Sequence, residues 1–473
     1  MPDLTLHNSF SRRRERFEPL DASHVRIYVC GPTVYDRPHI GNARPAVVFD
    51  VLVRLLRRLY PRVTYVRNIT DVDDKINARA AESGEPISAI TARTTAEYEA
   101  DMAALGVLPP DVEPRATGHI AAMIVLIERL IAGGHAYAAD GHVLFSVASF
   151  ADYGRLSGRS PDELLAGARV EVAPYKRDAG DFVLWKPSTP DLPGWESPWG
   201  RGRPGWHIEC SAMSHEYLGE SFDIHGGGGD LLFPHHENER AQSLCAFPGS
   251  RFAHYWVHNG MVQVNGQKMS KSLGNVLLVG DIKPPEAVRL VLLRTHYRGV
   301  LDFSDTALVQ ARDDLDRFYR ARRVAPTTPA TEPPPKVLAA LCDDLNTPLA
   351  ISEMHSLADA ALAGDGDASS GLAAAGELLG ILRLDPEEWF HNNKFQRSAT
   401  VNVQSGRLSF RGFAPQAHVF AGTKESEITA MIAERTEARR AKDFARADAI
   451  RQKLDALNVV VEDGAGGTTW RWK

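Results

Sequence analysis

The stretch Val25-Arg26-Ile27-Tyr28-Val29-Cys30-Gly31-Pro32 opens the region that decides the fold, because its β-branched residues predict a strand ending at a Gly-Pro turn. A helix is predicted over 43–59, with Pro45 in its first turn and apolar residues at helical spacing. A second strand is predicted over 63–69. A strand, a helix and a strand within about 45 residues are typical of a βαβ unit, so the sequence predicts a parallel sheet.

The composition is typical of a globular enzyme, since 44% of the 473 residues are hydrophobic and 24% are charged. This length is sufficient for about two to four domains. Sixty acidic and 54 basic residues give a formal net charge of -6, so any RNA contact must use local clusters of Lys and Arg. No stretch of about 18 apolar residues predicts a membrane span, and Met1-Pro2-Asp3-Leu4 does not begin a secretory signal. Four cysteines do not make a disulfide framework in a chain of this length, so we expect a cytoplasmic protein.

The sheet pattern is interrupted over about 115–205 and then resumes. Within this interval, short segments such as 142–147 and 182–185 alternate with turns rich in Gly and Pro, which predicts an inserted subdomain. The α/β character returns with a strand at 222–225, a glycine run and a helix opening at Pro234. A further strand is predicted at 255–257.

Two short motifs have the character of phosphate sites. Pro38-His39-Ile40-Gly41-Asn42 lies where the first strand leads into its helix, and free N–H groups and the helix dipole favour anions there. Lys268-Met269-Ser270-Lys271-Ser272 lies between Gly266 and Gly274, so its two lysines can reach one polyanion from two directions. Alone, the first motif is more simply read as a capping histidine and the second as a solvated turn. Together they resemble the two signature motifs of class I aminoacyl-tRNA synthetases.

Four scattered residues are candidate metal ligands: Cys30, Cys210, His235 and Glu239. His235 and Glu239 are four positions apart on the helix predicted to open at Pro234, so both side chains project from one face. Two thiolates, an imidazole and a carboxylate suit zinc. Spacing leaves alternatives open, because the chain has no CxxC pair, and lone cysteines are often buried hydrophobes. His236 also competes with His235 as the ligand, and Glu237 competes with Glu239.

Longer segments resemble cysteinyl-tRNA synthetases, from about Val25 to the C-terminus. Three of them are similar to the zinc-bearing segments of that family: Tyr28-Val29-Cys30-Gly31-Pro32-Thr33-Val34-Tyr35-Asp36, Gly205-Trp206-His207-Ile208-Glu209-Cys210-Ser211-Ala212-Met213 and Phe233-Pro234-His235-His236-Glu237-Asn238-Glu239. Others are Asn68-Ile69-Thr70-Asp71-Val72-Asp73-Asp74-Lys75, His225-Gly226-Gly227-Gly228, Asp344-Leu345-Asn346-Thr347-Pro348 and Arg439-Arg440-Ala441-Lys442-Asp443-Phe444. The resemblance implies that Cys30, Cys210, His235 and Glu239 hold one zinc ion in the amino-acid pocket.

The resemblance also implies the reaction. L-cysteine is activated by ATP, which Mg²⁺ accompanies, and is then transferred to the 3′ end of tRNA(Cys). Zinc binds a soft thiolate strongly and a neutral hydroxyl weakly, so it distinguishes cysteine from the nearly isosteric serine without an editing domain. The insertion at about 115–205 is then expected to shape the site for the tRNA acceptor end.

The same resemblance assigns roles to individual residues. Those expected to act on the phosphates or in catalysis are His39, Asn42, Lys268 and Lys271, and those expected to bind ATP are Gly41, Gly227, Asp230 and Lys271. Asn42 is a departure, because the first signature usually ends in His; an amide can still donate a hydrogen bond. Thr70 and Trp206 are expected to line the cysteine pocket, with plain core packing as the alternative for Trp206.

The expected domains follow the same family pattern. Residues 1–305 form a Rossmann-like catalytic domain that contains the insertion and a lysine-loop region at about 255–305. A helical bundle over 306–385 follows, and the charged helices of 425–473 are implied to bind the anticodon. Residues 386–424 include a predicted hairpin and have no assigned role. We expect a monomer.

Two alternative functions are compatible with parts of the sequence. A ligase that joins activated cysteine to a small amine, such as an amino sugar, would keep the zinc and ATP sites but would not need the helices after Ser426. A non-catalytic RNA-binding or zinc-sensing paralogue predicts damaged signatures, whereas His39, Lys268 and Lys271 are all present.

Overall fold

The computed structural model describes residues 2–159, 173–270, 272–324, 332–392, 400–404, 407–411, 425–457, 459–464 and 467–472. Within these ranges the strands are β1 (Thr5–Asn8), β2 (Arg13–Arg16), β3 (Val25–Val29), β4 (Val63–Arg67), β5 (Ala136–Ala139), β6 (His142–Phe145), β7 (Phe182–Pro187), β8 (Gly202–Pro204), β9 (Ser221–Gly228), β10 (Phe252–Asn259), β11 (Val262–Val264), β12 (Gln267–Lys268), β13 (Leu301–Phe303), β14 (Thr400–Gln404), β15 (Arg407–Arg411), β16 (Val459–Gly464) and β17 (Gly467–Trp472). The α-helices are α1 (Ile40–Leu59), α2 (Asp74–Ser83), α3 (Ile87–Ala104), α4 (Ile120–Ala132), α5 (Trp206–Leu218), α6 (Glu237–Ala246), α7 (Pro285–Leu293), α8 (Asp305–Val324), α9 (Pro335–Cys342), α10 (Thr347–Leu362), α11 (Gly366–Leu379), α12 (Pro386–Asn392), α13 (Glu425–Arg440) and α14 (Phe444–Ala456).

The central sheet has four parallel strands in the order β10-β9-β3-β4. The βαβ unit predicted over 25–69 is confirmed as β3, α1 and β4. Because the carboxyl ends of parallel strands meet at one edge of the sheet, the residues that follow β3, β4 and β9 lie at a common edge. This edge is where a ligand site is expected in such a fold.

Helix α1 begins at Ile40, three residues before the predicted start at 43. His39 is its N-cap: Nδ1 of His39 accepts a hydrogen bond from the backbone N–H of Asn42 at 3.3 Å. In return, Oδ1 of Asn42 accepts a hydrogen bond from the backbone N–H of His39 at 3.1 Å. This reciprocal capping box satisfies two N–H groups and explains the earlier start. Pro45 therefore lies inside the helix and not in its first turn.

The glycine run after the predicted strand at 222–225 is itself strand, because β9 continues to Gly228. A Cβ at Gly226 would stand 2.3 Å from the ring of Phe49, and one at Gly227 would stand 2.9 Å from the ring of His236. Close packing across the sheet therefore accounts for these glycines.

The predicted insertion contains an antiparallel sheet in the order β5-β6-β7-β8. The segments predicted at 142–147 and 182–185 are β6 and β7. Helix α4 was not predicted; its apolar face is buried in the core that also contains Trp185 and Ile208. The insertion is thus packed on the helices that cover the parallel sheet.

By internal packing the chain divides into two units. The first comprises residues 1–262, 295–301 and 339–347, and the second comprises 263–294, 302–338 and 348–473. The first unit contains the parallel sheet and the insertion; the second contains the segment around Lys268 and most of the later helices. Among the helices of the described ranges, none combines the length and the apolar character needed to cross a bilayer.

The C-terminal region has the predicted elements. Helices α13 and α14 occupy the interval in which charged helices are predicted, and β16 pairs antiparallel with β17 as a terminal hairpin. Strands β14 and β15 also pair antiparallel, as predicted for the segment of unassigned role. A small core of Ile428, Ile450, Leu454 and Trp470 joins the last helices to the hairpin.

Candidate active site

The four predicted metal ligands converge in the first unit. Cys30 follows β3, Cys210 lies on α5, and Glu239 lies on α6. His235 lies in a single π-helical turn, Leu232–His236, directly before α6, and not on the α-helix itself as predicted. All four are buried, and one ligand atom from each lies within 4.8 Å of the others.

The Glu239 carboxylate is at the centre of this cluster. Its Oε1 lies 3.0 Å from Nε2 of His235 and 3.3 Å from Sγ of Cys30. The side chain of Asn68, which follows β4, has its Oδ1 3.7 Å from Sγ of Cys210. Two thiols, an imidazole and a carboxylate thus face one another with atom types that match a zinc site.

A second possible ligand set overlaps the first and consists of Cys30, His225, His236 and Glu239. His225 Nε2 lies 3.6 Å from Sγ of Cys30 and 3.4 Å from Oε2 of Glu239. His236 Nδ1 is 2.7 Å from Nε2 of His258. His235 and His236 therefore belong to two different ligand sets, which share Cys30 and Glu239.

Glu237, the other competitor considered from the sequence, belongs to neither set. Its carboxylate accepts a hydrogen bond from the backbone N–H of Ser157 at 2.8 Å and is 4.0 Å from Arg240. The hydrogen bond between Ser157 and Glu237 therefore connects the insertion to α6.

Charges in the first set are strongly coupled. Burial would raise the pKa of Glu239, but His225 and His235 hold it well below its usual range. Burial would lower the pKa of His235, but Glu239 and Cys210 raise it to about 10. Burial would likewise raise the pKa of Cys210, but hydrogen bonds with Cys30 and His235 lower it to about 6. The first set therefore places acidic and basic groups together in one buried site.

His207 orients His235 and was not singled out from the sequence. Its Nδ1 is 2.9 Å from Nδ1 of His235, and burial together with His235 lowers the pKa of His207 to about 3. A neutral His207 accepts the Nδ1–H of His235, which leaves Nε2 of His235 facing Glu239. The spacing of His207 and Cys210, three positions apart on α5, could have indicated this.

Trp206 and Thr70, the two predicted pocket residues, both adjoin the cluster. The Trp206 ring stacks on His235 with centroids 4.2 Å apart, and 37% of Trp206 is exposed. Its partial exposure argues against plain core packing. Thr70 is buried, and its Oγ1 accepts a hydrogen bond from Nδ2 of Asn68 at 3.2 Å.

Gly31 lies beside the same strand ends and has little space for a side chain. Its N–H donates to Oδ1 of Asn68 at 2.9 Å, and a Cβ there would stand 1.6 Å from the Asn68 carbonyl oxygen. Glycine at this position allows the chain after β3 to pass close to the chain after β4.

The predicted nucleotide residues of the first unit lie at the starts and ends of its elements. His39, Gly41 and Asn42 form the first turn of α1, with the capping contacts described above. Gly227 is buried in β9, and Asp230 is exposed in the 3₁₀ turn that follows. Cys30, His39 and Asp230 follow the carboxyl ends of the parallel strands β3 and β9, whereas Cys210 lies on α5, after β8 of the antiparallel sheet.

The lysine loop belongs to the second unit. Lys268 is exposed on β12, which pairs with β11, whereas Lys271 lies outside the described residues. Asn275 is buried and spans the loop: its Nδ2 donates to the Lys268 carbonyl at 3.1 Å, and its Oδ1 accepts from the Ser270 N–H at 2.8 Å. The sequence interpretation missed this role of Asn275, although a buried amide three residues past a Lys/Ser run suits such a bridge.

Three models of known protein families match parts of the chain. A family model for the tRNA synthetases class I (C) catalytic domain matches residues 16–313. A model for the DALR domain matches 336–383, and one for the cysteinyl-tRNA ligase anticodon binding domain matches 425–471.

Relatives match over the full length. The chain is 64% identical over 475 residues to the cysteine–tRNA ligase of Acidiphilium cryptum, covering 100% of both chains. It is 59% identical over 471 residues to the cysteine–tRNA ligase of Gluconobacter oxydans, covering 99% of this chain and 98% of the relative.

Solved structures share the fold at low identity. The LeuRS of Agrobacterium radiobacter K84, in a ternary complex with tRNA and LeuAMS, matches with a TM-score of 0.55 and 13% identity over 79% of this chain and 86% of that one. Mycobacterium tuberculosis methionyl-tRNA synthetase, in complex with methionyl-adenylate, matches with a TM-score of 0.50 and 17% identity over 79% and 84%. On the family model and the full-length relatives, the chain belongs to the cysteine–tRNA ligase family of class I aminoacyl-tRNA synthetases.

Proposed function

We propose that this ligase joins L-cysteine to ATP, giving cysteinyl-adenylate and pyrophosphate, and then transfers cysteine to the 3′ end of tRNA(Cys). The observation that carries the amino-acid assignment is the buried set of Cys30, Cys210, His235 and Glu239. Cys30 of this set follows β3, as does His39 at the start of α1, so both lie beyond the same edge of the parallel sheet. An amino-acid site beside a phosphate site is what adenylate formation requires.

We propose that zinc occupies the set that contains Cys210 and His235. Two sulfur ligands favour zinc over harder cations, whereas the other set offers only one. His235 is itself buried, but its ring stacks on the partly exposed ring of Trp206. His225, by contrast, packs among aromatic rings of the core, including Tyr28 and Trp256.

The donor set fits this metal in its charge as well as in its atom types. A buried carboxylate beside two thiols is costly without a cation, because buried charges are stable only when paired. Zinc here would bind the thiolate of cysteine and discriminate against the hydroxyl of serine. His207 holds the ring of His235 in place, and Asn68 lies between Cys210 and Thr70, so the protein orients its own side chains around the pocket.

The activation step is an in-line displacement. A carboxylate oxygen of cysteine attacks the α-phosphorus of ATP, the bond to the β-phosphate oxygen breaks, and pyrophosphate leaves with the electron pair. His39 and the N-terminus of α1 stabilise the added negative charge, and Asn42 supports His39 by capping the same turn. Lys268 and Lys271 neutralise the β- and γ-phosphates, and Mg²⁺ accompanies the ATP.

The remaining roles concern binding. We propose that Gly227 lets the nucleotide approach the end of β9 and that Asp230 binds the ribose hydroxyls; the exposure of Asp230 supports this. Thr70 and Trp206 line the cysteine pocket. The backbone of Gly41, in the first turn of α1, lies against the adenine.

The tRNA would be bound by several parts of the chain. We propose that α13, α14 and the terminal hairpin bind the anticodon, which the family match over 425–471 supports. The insertion at about 115–205 would form the site for the acceptor end. We also propose a cytoplasmic monomer; all four cysteines are free thiols, as is usual in a reducing compartment. Sedimentation at working concentration tests the oligomeric state.

The anticodon-domain match disfavours a ligase for a small amine, which needs no such domain. The capped His39 and the retained Lys268 disfavour a non-catalytic paralogue.

The test is ATP–pyrophosphate exchange with cysteine and with serine, on zinc-loaded and on chelated protein, followed by charging of tRNA(Cys). Exchange that requires cysteine and is lost with zinc supports the proposal. Equal use of serine, or exchange that is independent of zinc, contradicts the metal assignment. Absence of any exchange would contradict the activation chemistry itself.

A further inference from the structure

Arg44 is a fully buried cation surrounded by backbone carbonyls. It lies on α1, two residues after Asn42, and its relative exposure is 0%. Its Nη1 donates to the carbonyls of Gly260 and Met261 at 2.8 Å and 2.7 Å. Its Nη2 donates to the carbonyls of Gly299 and His296 at 2.7 Å and 3.4 Å.

The contacts of Arg44 lack an anion, which is unusual for a buried guanidinium. Within the described part of the chain, no carboxylate lies at ion-pair distance from it. Burial lowers its pKa to about 10, so the group stays charged at neutral pH. Burial of a charged guanidinium without an anionic partner costs free energy. Such a cost is expected only where the planar fork of Arg meets a specific structural need.

The carbonyls that Arg44 binds belong to two segments at which the first unit continues into the second. Three of the five points at which the chain passes between the units are 262–263, 294–295 and 301–302. Gly260 and Met261 precede the first of these points, and His296 and Gly299 lie between the other two. Arg44 therefore binds carbonyls on both sides of the segment 263–294, which carries the lysine loop.

The two segments also lie directly against each other. The N–H of Gly260 donates to the Tyr297 carbonyl at 2.7 Å, and the N–H of Leu301 donates to the Met261 carbonyl at 3.0 Å. A Cβ at Gly260 would stand 2.2 Å from the Gly299 carbonyl oxygen. Approach this close requires glycine and gives Arg44 carbonyls from both segments.

A buried anion holds the same region through different atoms. Asp344 accepts hydrogen bonds from the Tyr297 hydroxyl at 2.8 Å and from Nε of Arg298 at 2.9 Å. It also accepts from the backbone N–H of His7 at 2.8 Å. Within the segment 296–299, Arg44 binds the carbonyls of His296 and Gly299. Asp344 binds the side chains of Tyr297 and Arg298. Side-chain contacts with several elements therefore fix this segment in the first unit.

We propose that Arg44 is a positioning residue for the activation step, because it fixes the ends from which the lysine-loop segment extends relative to the helix that carries His39. The inference rests on the proposed function. His39 and Arg44 lie on one helix, five positions apart, so the helix that binds the phosphates also sets the origin of the loop that neutralises them. A displacement of about 1 Å in such an arrangement can reduce a rate about 100-fold.

The proposal predicts a selective defect. Arg44→Lys keeps the charge but loses the planar fork, so it cannot bind all the carbonyls at once. We expect kcat for ATP–pyrophosphate exchange to fall about 10- to 100-fold, with the KM for cysteine and the zinc content unchanged. Transfer of cysteine to tRNA from supplied cysteinyl-adenylate should keep the wild-type rate, because pyrophosphate has already left at that stage.

A matched control is Arg289→Lys. Arg289 is also fully buried and donates Nε to the Leu379 carbonyl at 2.6 Å, so its contact lies inside the second unit, between α7 of the segment 263–294 and the end of α11. This variant should lose thermal stability and keep both rates within about twofold, as expected of a purely structural contact. Tyr297→Phe, which removes only one hydrogen bond to Asp344, provides a milder variant should Arg44→Lys fold poorly.

An equal fall in exchange and transfer, or a change in thermal stability without a change in exchange, would overturn the proposal. For Tyr297→Phe the expected result is a smaller decrease confined to exchange, and unchanged exchange would likewise count against it. Wild-type protein that shows no cysteine-dependent exchange would instead refute the proposed function.

Discussion

Replacement of His207 by Phe tests how the pocket orients its metal ligands. His207 contributes one hydrogen bond to the site, between its Nδ1 and Nδ1 of His235 at 2.9 Å. Phe keeps the ring, which packs edge-on against Phe182 with centroids 5.7 Å apart, but removes the acceptor. The Nδ1–H of His235, which is buried, then has no partner, and its ring is no longer held in the tautomer that presents Nε2 to Glu239.

We expect zinc affinity to fall about 10- to 100-fold, the usual effect of losing a hydrogen-bond partner behind a metal ligand. This corresponds to about 1.4 to 2.7 kcal/mol, which agrees with the cost of about 1 to 3 kcal/mol for a buried donor left unpaired. Competition with a chromophoric chelator measures the dissociation constant directly. His207→Gln retains an acceptor and should recover part of the affinity.

His215→Phe is the matched control, because His215 lies on the same helix but stacks on Phe247 and has no part in the metal cluster. It should leave zinc affinity unchanged. Wild-type zinc affinity in His207→Phe, or an equal loss in the control, would refute the argument that His207 orients His235.

Three further predictions concern other parts of the molecule. Asn275→Ala removes both hydrogen bonds that span the lysine loop. We therefore expect kcat/KM for ATP to fall about tenfold in pyrophosphate exchange while zinc affinity stays constant. An unchanged kcat/KM would mean that the loop keeps its shape without this bridge. Asn42→Ala removes half of the capping box of α1 and should lower the free energy of unfolding by about 1 kcal/mol in urea titrations, whereas Asn42→Asp, which keeps an acceptor, should lose less. Burial raises the pKa of the Glu286 carboxyl group. The contribution of this group to the free energy of unfolding is therefore complete below the unfolded-state pKa of about 4.3 and is lost as the pH rises through the folded-state pKa. Relative to Glu286→Gln, the wild type should therefore lose stability between pH 4 and pH 8, and a difference between the two proteins that is independent of pH would contradict this prediction.

Much of the fold could be predicted because the sequence pattern is local. The β-branched run at 25–29, the apolar spacing of α1 and the strand after it specify a βαβ unit without reference to distant residues. The start of α1 was misplaced because its cap is a histidine paired with an asparagine, a combination outside the usual Ser, Thr and Asp signals. The glycines of β9 were misread because their close neighbours, Phe49 and His236, are distant in sequence.

The site was only partly predictable for the same reason. The side chains of Cys30, Cys210, His235 and Glu239 were recognised by resemblance to known segments, whereas spacing alone left His236 and Glu237 open. Only the folded arrangement shows that His236 belongs to an overlapping set and that Glu237 binds Ser157. His207, Asn275 and Arg44 act through atoms brought together by tertiary structure, which no local pattern reports.

We propose that zinc is held by Cys30, Cys210, His235 and Glu239 and selects cysteine by its thiolate. X-ray absorption at the zinc edge tests this most directly, because it counts sulfur neighbours of the metal. We expect two sulfur neighbours in the resting protein, three after addition of cysteine and two after addition of serine. A single sulfur neighbour in the resting protein would indicate the set with His225 and His236, and a count that cysteine does not change would contradict the role of the metal in selection.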